Sequence, residues 1–135
     1  MKKKKKTASQ KYIAKVKKAR KDADKIWGQI ILLLHPKCEY NSCKNKSTDP
    51  HHFCPKSISN ALRYNISNGI GLCRGHHFSH HNGNPFIHQY IIEQREKKWF
   101  EYLKQKQQES TKTNLKWYED NIERLSKELI KNTKK

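Results

Sequence analysis

The chain has 135 residues, only 33% of them hydrophobic, and carries 30 Lys and Arg against 12 Asp and Glu for a formal charge of +18. So little apolar material fits one small domain, and a core of that size commonly needs a disulfide or metal staple. No apolar run approaches the roughly 18 residues of a membrane span, which excludes a helical membrane protein, while the positive charge favours a polyanionic partner, nucleic acid first.

The competing explanation of that charge is a lysine-biased composition that merely decorates solvated faces, which the accompanying Asn and Ile would also fit. Behind the charged start of "MKKKKKTASQ" there is no apolar segment of the kind a secretory signal carries. The expectation is therefore an intracellular, cytoplasmic protein, in whose reducing surroundings closely spaced cysteines signal metal more often than disulfide.

In chain order, residues 1–9 are a lysine run expected to stay disordered until it meets phosphates. Residues 10–35 form a basic amphipathic helix, with Ile13, Val16, Ile26, Ile30 and Leu34 at helical spacing and lysines such as Lys15 and Lys18 available to a DNA backbone. His35-Pro36 ends it, because a residue before proline is pushed out of the α region. From 36 to 84 the chain is loop-rich with two short β-like pieces, "HHF" and "GIGLC", the second entered through an Asn68-Gly69 turn.

Residues 85–135 read as C-terminal helices. Asn84-Pro85 opens the first, with Ile87, Tyr90, Ile91, Trp99, Tyr102 and Leu103 on it. After the polar "KQKQQESTKT", the residues Leu115, Tyr118, Ile122, Leu125 and Leu129 follow a 3-4 pattern. This last helix is expected to pack on the helix before it, giving a monomer, with a homodimer through the C-terminal helices as the alternative.

The cysteines and histidines sort into two sets. Cys38 and Cys43 in "CEYNSC" make one close pair, and Cys73 and His76 in "CRGH" another, which suits the four soft or borderline ligands of a structural zinc. Cys54 is the substitute fourth ligand, and cysteines as small buried hydrophobes are the bland alternative. In the second set, His51 and His52 are neighbours on an extended segment and point to opposite sides. His77 and His81, four apart, share one face of a helix. Three neutral imidazoles, His51, His77 and His81, can then hold one divalent cation (Mg, Mn, Ni or Zn) with positions open to substrate oxygens. His52 is left free to take a proton from water. Phosphodiester hydrolysis needs that division of labour, one group stabilising charge on phosphate and leaving oxygen and another generating hydroxide.

"DPHHF", Asn68 sixteen residues after His52, and "LCRGHH" with a further histidine four residues after His77 together resemble the HNH (ββα-metal) endonucleases. The flanking "ADKIWGQIILLL" and "NPFIHQYII" look like the phage recombination-associated, NinG-like type. The resemblance implies an α+β fold: a small zinc-stapled ββα-metal core, with its helix beginning near Gly75, flanked by N- and C-terminal amphipathic helices. It implies that His52 is the general base, that Asn68 holds the base-bearing loop through backbone hydrogen bonds, and that His77 closes the motif, with His51 and His81 as further metal ligands. It also implies DNA, duplex or branched, as substrate. The family pattern has Cys-x-x-Cys at both zinc turns, whereas here "CEYNSC" has four intervening residues and the second turn ends in His76, a departure that bears on the zinc set more than on the catalytic one. Asp49 is a further ligand or a partner orienting a histidine, His80 is a spare, and Arg63 and Arg74 are candidates to contact phosphate. A non-catalytic zinc module that binds nucleic acid is the alternative function, and a basic structural protein with incidental histidines is a third.

Overall fold

The computed structural model describes residues 2–134, and its element order is helix, strand, short helix, strand, then four helices. The mixed α+β class expected from the sequence is observed. Met1, in the basic tail, and Lys135 lie outside the described residues. Helix α1 spans Ala8–Leu34. It starts two residues earlier than the hydrophobic spacing suggests, because Thr7 and Gln10 form a capping box in which each side chain bonds the other's backbone N–H.

The buried face of α1 is also shifted from the expected stripe. Ala19, Ala23, Trp27, Ile30 and Ile31 face the interior, while Ile13 and Leu34 are exposed. The small side chains Ala19 and Ala23 allow close approach of α6 (Leu115–Thr133), which packs along α1 through Tyr118 and Leu125. That apolar seam of α6 is thus covered within the chain, and by the first helix rather than the preceding one. Burial of this kind removes apolar surface from water and is the main stabilising term available to two such polar helices.

Strands β1 (Asp49–His52) and β2 (Gly69–Leu72) pair antiparallel, with Asp49 opposite Leu72 and His51 opposite Ile70. The ribbon rests on α1, and the contact is made through glycines: a Cβ on Gly28 would lie 3.0 Å from Pro50, and one on Gly69 would fall within 2.1 Å of Ile31. Ile70 and Leu72 enter a second core with Ile87 and Ile91. Between the strands, the segment expected to be irregular contains a short helix α2 (Asn60–Arg63), capped by Ser59, and a 3-10 turn Ile66–Asn68.

Helix α3 (Arg74–His81) follows β2 directly. The helix expected from Asn84-Pro85 onward is two helices, α4 (Phe86–Gln94) and α5 (Lys97–Lys106). The break falls at Arg95, whose guanidinium reaches back to both oxygens of Glu39, at 2.8 and 2.9 Å, and to the Gly69 carbonyl, and lies over the Trp99 ring. An extended Arg95 satisfies more charged and polar partners than a helical one would. Among the described residues no helix is long and apolar enough to cross a membrane.

Two substitutions test this packing. Leu125→Ala should destabilise by about 2–5 kcal/mol in chemical denaturation, the usual cost of a cavity at a fully buried leucine. Gly71→Ala places a Cβ 2.6 Å from the His35 carbonyl oxygen and should cost about 1–3 kcal/mol by overpacking, measured the same way.

Candidate metal centre and active site

The first cluster is built at the far end of the ribbon. Between Cys38 and Cys43 the chain turns through Asn41 and Ser42, both in the left-handed region at φ 37° and 56°, and Cys43 N–H donates to the Tyr40 carbonyl. An Lys37–Lys46 bridge closes the loop. Cys73 sits at the N-cap position of α3 without a capping bond, which leaves its sulfur free, and His76 follows on the first turn. His76 Nδ1 lies 3.3 Å from the sulfurs of both Cys38 and Cys73, and one donor atom from each of Cys38, Cys43, Cys73 and His76 falls within 4.8 Å of the others. Burial pushes the Cys38 thiol up to about 11. Burial acts likewise on Cys73, but the His76 backbone N–H and neighbouring polar groups outweigh it and lower its pKa. Three sulfurs and an imidazole, with no carboxylate among them, are a soft donor set that could hold a metal such as zinc, which would displace the thiol protons. Cys54 stands outside this group, its sulfur 3.8 Å from Gln107 Oε1.

The second cluster arises from strand alternation. Asp49 and His51 face α3, while Pro50 and His52 face α1. His77 and His81, one turn apart on α3, have Nε2 atoms 2.8 Å apart, and together with His51 they bring donor atoms within 4.8 Å of one another. This is a second group that could hold a metal ion. Asp49 accepts a hydrogen bond from His77 Nδ1 at 2.9 Å, which leaves the Nε2 lone pair of His77 turned to the cluster. Burial raises the Asp49 carboxyl pKa, but the donated bonds from His77 and Thr48 outweigh it and hold it below the usual range. Asp49 is thereby a partner of a candidate ligand rather than a member of the donor group. His51 is almost wholly enclosed, and burial first, then the surrounding histidines, drive its pKa down to about 2, so the ring is neutral.

His52 stacks face to face on Trp27, with ring centroids 3.8 Å apart and 7° between planes. Its Nε2 is 2.8 Å from the Arg63 carbonyl oxygen. A carbonyl only accepts, so Nε2 carries the proton and Nδ1 keeps a lone pair. Burial lowers the pKa of the ring to about 4, against the opposing pull of that carbonyl. His52, His51, His77, His80 and His81 line one cleft of about 510 Å³, with Lys56 exposed at its edge.

Asn68 is fully buried. Its side chain accepts from Cys54 N–H at 2.8 Å and donates to the carbonyls of Cys54 and Leu62, while its own carbonyl accepts from Phe53 N–H. It therefore ties the segment after His52 to the one that ends at Arg63, whose carbonyl fixes His52.

The basic candidates divide. Arg63 commits its Nε and an Nη to the Asp24 carboxylate, at 3.1 and 2.8 Å, so its guanidinium is not free for phosphate and its role at the site is through its carbonyl. Arg74 is exposed, 3.9 Å from an Asp49 oxygen beside the histidines. On α1, Lys15 is exposed and Lys18 pairs with Asp22. Sequence spacing passed over Lys56, the Trp27 stack and His88, whose Nε2 lies 3.0 Å from His51 Nε2. No local spacing rule links residues 51 and 88, since they meet only through packing of α4 on the ribbon.

Cys73→Ser should lower the bound metal by one ion per chain, measured by elemental analysis of purified protein, while Cys54→Ser should leave the content unchanged. Comparison of the chain with family models, curated proteins and solved structures returned no match in any of the three.

Proposed function

We propose that this chain is a metal-dependent endonuclease of the HNH (ββα-metal) type that hydrolyses DNA phosphodiester bonds. The observation that carries the reading is a histidine with a fixed tautomer, His52, in the same cleft as a three-imidazole donor group. The Arg63 carbonyl takes the Nε2 proton and leaves Nδ1 as a base in a neutral ring, which a water-activating group at neutral pH requires. Asn68 holds that carbonyl's segment against the strand end. Asp49 holds His77 in the tautomer that offers Nε2 to a cation. A zinc at Cys38, Cys43, Cys73 and His76 is the scaffold, joining the loop before β1 to the start of α3.

His51, His77 and His81 would hold a divalent ion, which when bound would supply charge stabilisation at the scissile phosphate and the departing oxygen. His52 Nδ1 removes a proton from water, the water oxygen bonds to phosphorus, and the P–O3′ bond breaks with O3′ taking a proton from solvent water, leaving 5′-phosphate and 3′-hydroxyl ends. Arg74 and Lys56 at the cleft, with Lys15 and the N-terminal lysines, provide salt-dependent contacts to the phosphate backbone. Branched recombination intermediates are the proposed substrate, in keeping with the NinG-like flanks.

His52→Ala should slow cleavage of supercoiled plasmid by about 10²–10⁴-fold, the range for loss of a general base, at unchanged DNA affinity and helix content. A four-way junction should be cut in preference to linear duplex. Equal cleavage by wild type and variant would remove His52 from the role of base, and DNA binding without cleavage by either would leave a zinc-stapled binding module.

A further inference from the structure

His51 belongs to two donor groups. Besides His77 and His81 it meets His80 and His88, and one donor atom from each of His51, His80 and His88 also falls within 4.8 Å of the others. The rings are tightly arranged: His80 stacks on His88 with centroids 4.1 Å apart, and His51 lies 4.8 Å from His80 and 5.3 Å from His88 by centroid. Nδ1 of His80 is buried without a hydrogen-bond partner, an orphan that a neighbouring cation or a proton donor would satisfy. His88 is not among the residues lining the cleft, and Phe53 stacks on its ring at 4.6 Å.

We infer that His51, His80 and His88 form a second transition-metal seat behind the cleft, alternative to the one formed by His51, His77 and His81. A neutral imidazole has one lone pair, so His51 ligates an ion in one group or in the other. An all-imidazole set suits Zn, Ni, Co or Cu and disfavours Mg, which prefers oxygen ligands and its own waters, and which the front group admits only because its remaining positions open to water and phosphate oxygens in the cleft. Resting on the nuclease reading, an ion in the rear seat would deprive the front group of its His51 ligand. Transition metals would then divide between a productive and an unproductive position, and Mg would not.

The test uses full-length protein preloaded with one zinc per chain, titrated with Co²⁺ and read by visible absorption and by elemental analysis. His77→Ala/His81→Ala protein should still take one Co²⁺ with the weak absorption of nitrogen ligation. Adding His88→Phe, which keeps the ring stack on Phe53 but removes the donor, should abolish that binding with helix content unchanged. Wild type should take one Co²⁺, not two. Failure of the double variant to bind Co²⁺, binding that survives His88→Phe, or two Co²⁺ on wild type would each overturn the inference. None of these readouts involves DNA, so failure of the nuclease reading would show separately, as absent cleavage with the Co²⁺ titrations as expected.

Discussion

Eight residues of antiparallel ribbon carry His51, His52 and Asp49, and a two-stranded ribbon of that length is not stable alone in water. Everything proposed for the chain depends on what holds that ribbon in place. On one face α1 presses against it closely: a Cβ at Gly69 would collide with Ile31, and one at Gly28 would crowd Pro50. At its open end the Cys38, Cys43, Cys73 and His76 group brings the loop before β1 against the start of α3. The Glu39–Arg95 pair ties the same loop to the start of α5, with Glu39 also accepting the Gly71 N–H. A ribbon clamped on these sides can keep imidazoles at the spacing a cation needs, which a free hairpin could not.

A metal held in the clamp would couple binding to folding. A buried thiol such as Cys38 resists ionisation, and a soft cation held there would replace its proton and gain the energy of several bonds at once. The apolar cores on either side of the ribbon are modest, one centred on Trp27 and Leu125 and the other on Ile70 and Ile87. With so small a share of apolar residues, cross-linking by a metal is a physically economical way to order a loop-rich segment.

Much of the candidate site was legible because its spacings are local. His77 and His81 lie one helical turn apart, His51 and His52 alternate across a strand, and Cys38 with Cys43 and Cys73 with His76 each span a single turn. Asn68 was legible from its neighbours only as the turn into β2, since nothing there announces a buried side chain bridging three backbone groups. The rest was hidden because it comes from long-range packing. Arg63 reads as a free cation until Asp24, thirty-nine residues earlier, takes its guanidinium. The same is true of His88 and of Trp27 under His52. For the fold, the helical periods of α1 and α6 were visible, but the partner of α6 was not: amphipathicity shows that a face must be covered and does not say by what. The break at Arg95 escaped for the same reason, since the residues there are ordinary helix formers and the extended conformation is drawn out by Glu39.

The most direct test of the account is cleavage of supercoiled plasmid by protein carrying one zinc per chain and no other ion, before and after adding Mg, Mn or Ni, with DNA binding followed in parallel. The account predicts binding throughout, no nicking until the second ion arrives, and loss of nicking on chelation. Cleavage that proceeds with zinc alone in the cysteine cluster, or binding with no cleavage under any of the three ions, would contradict it.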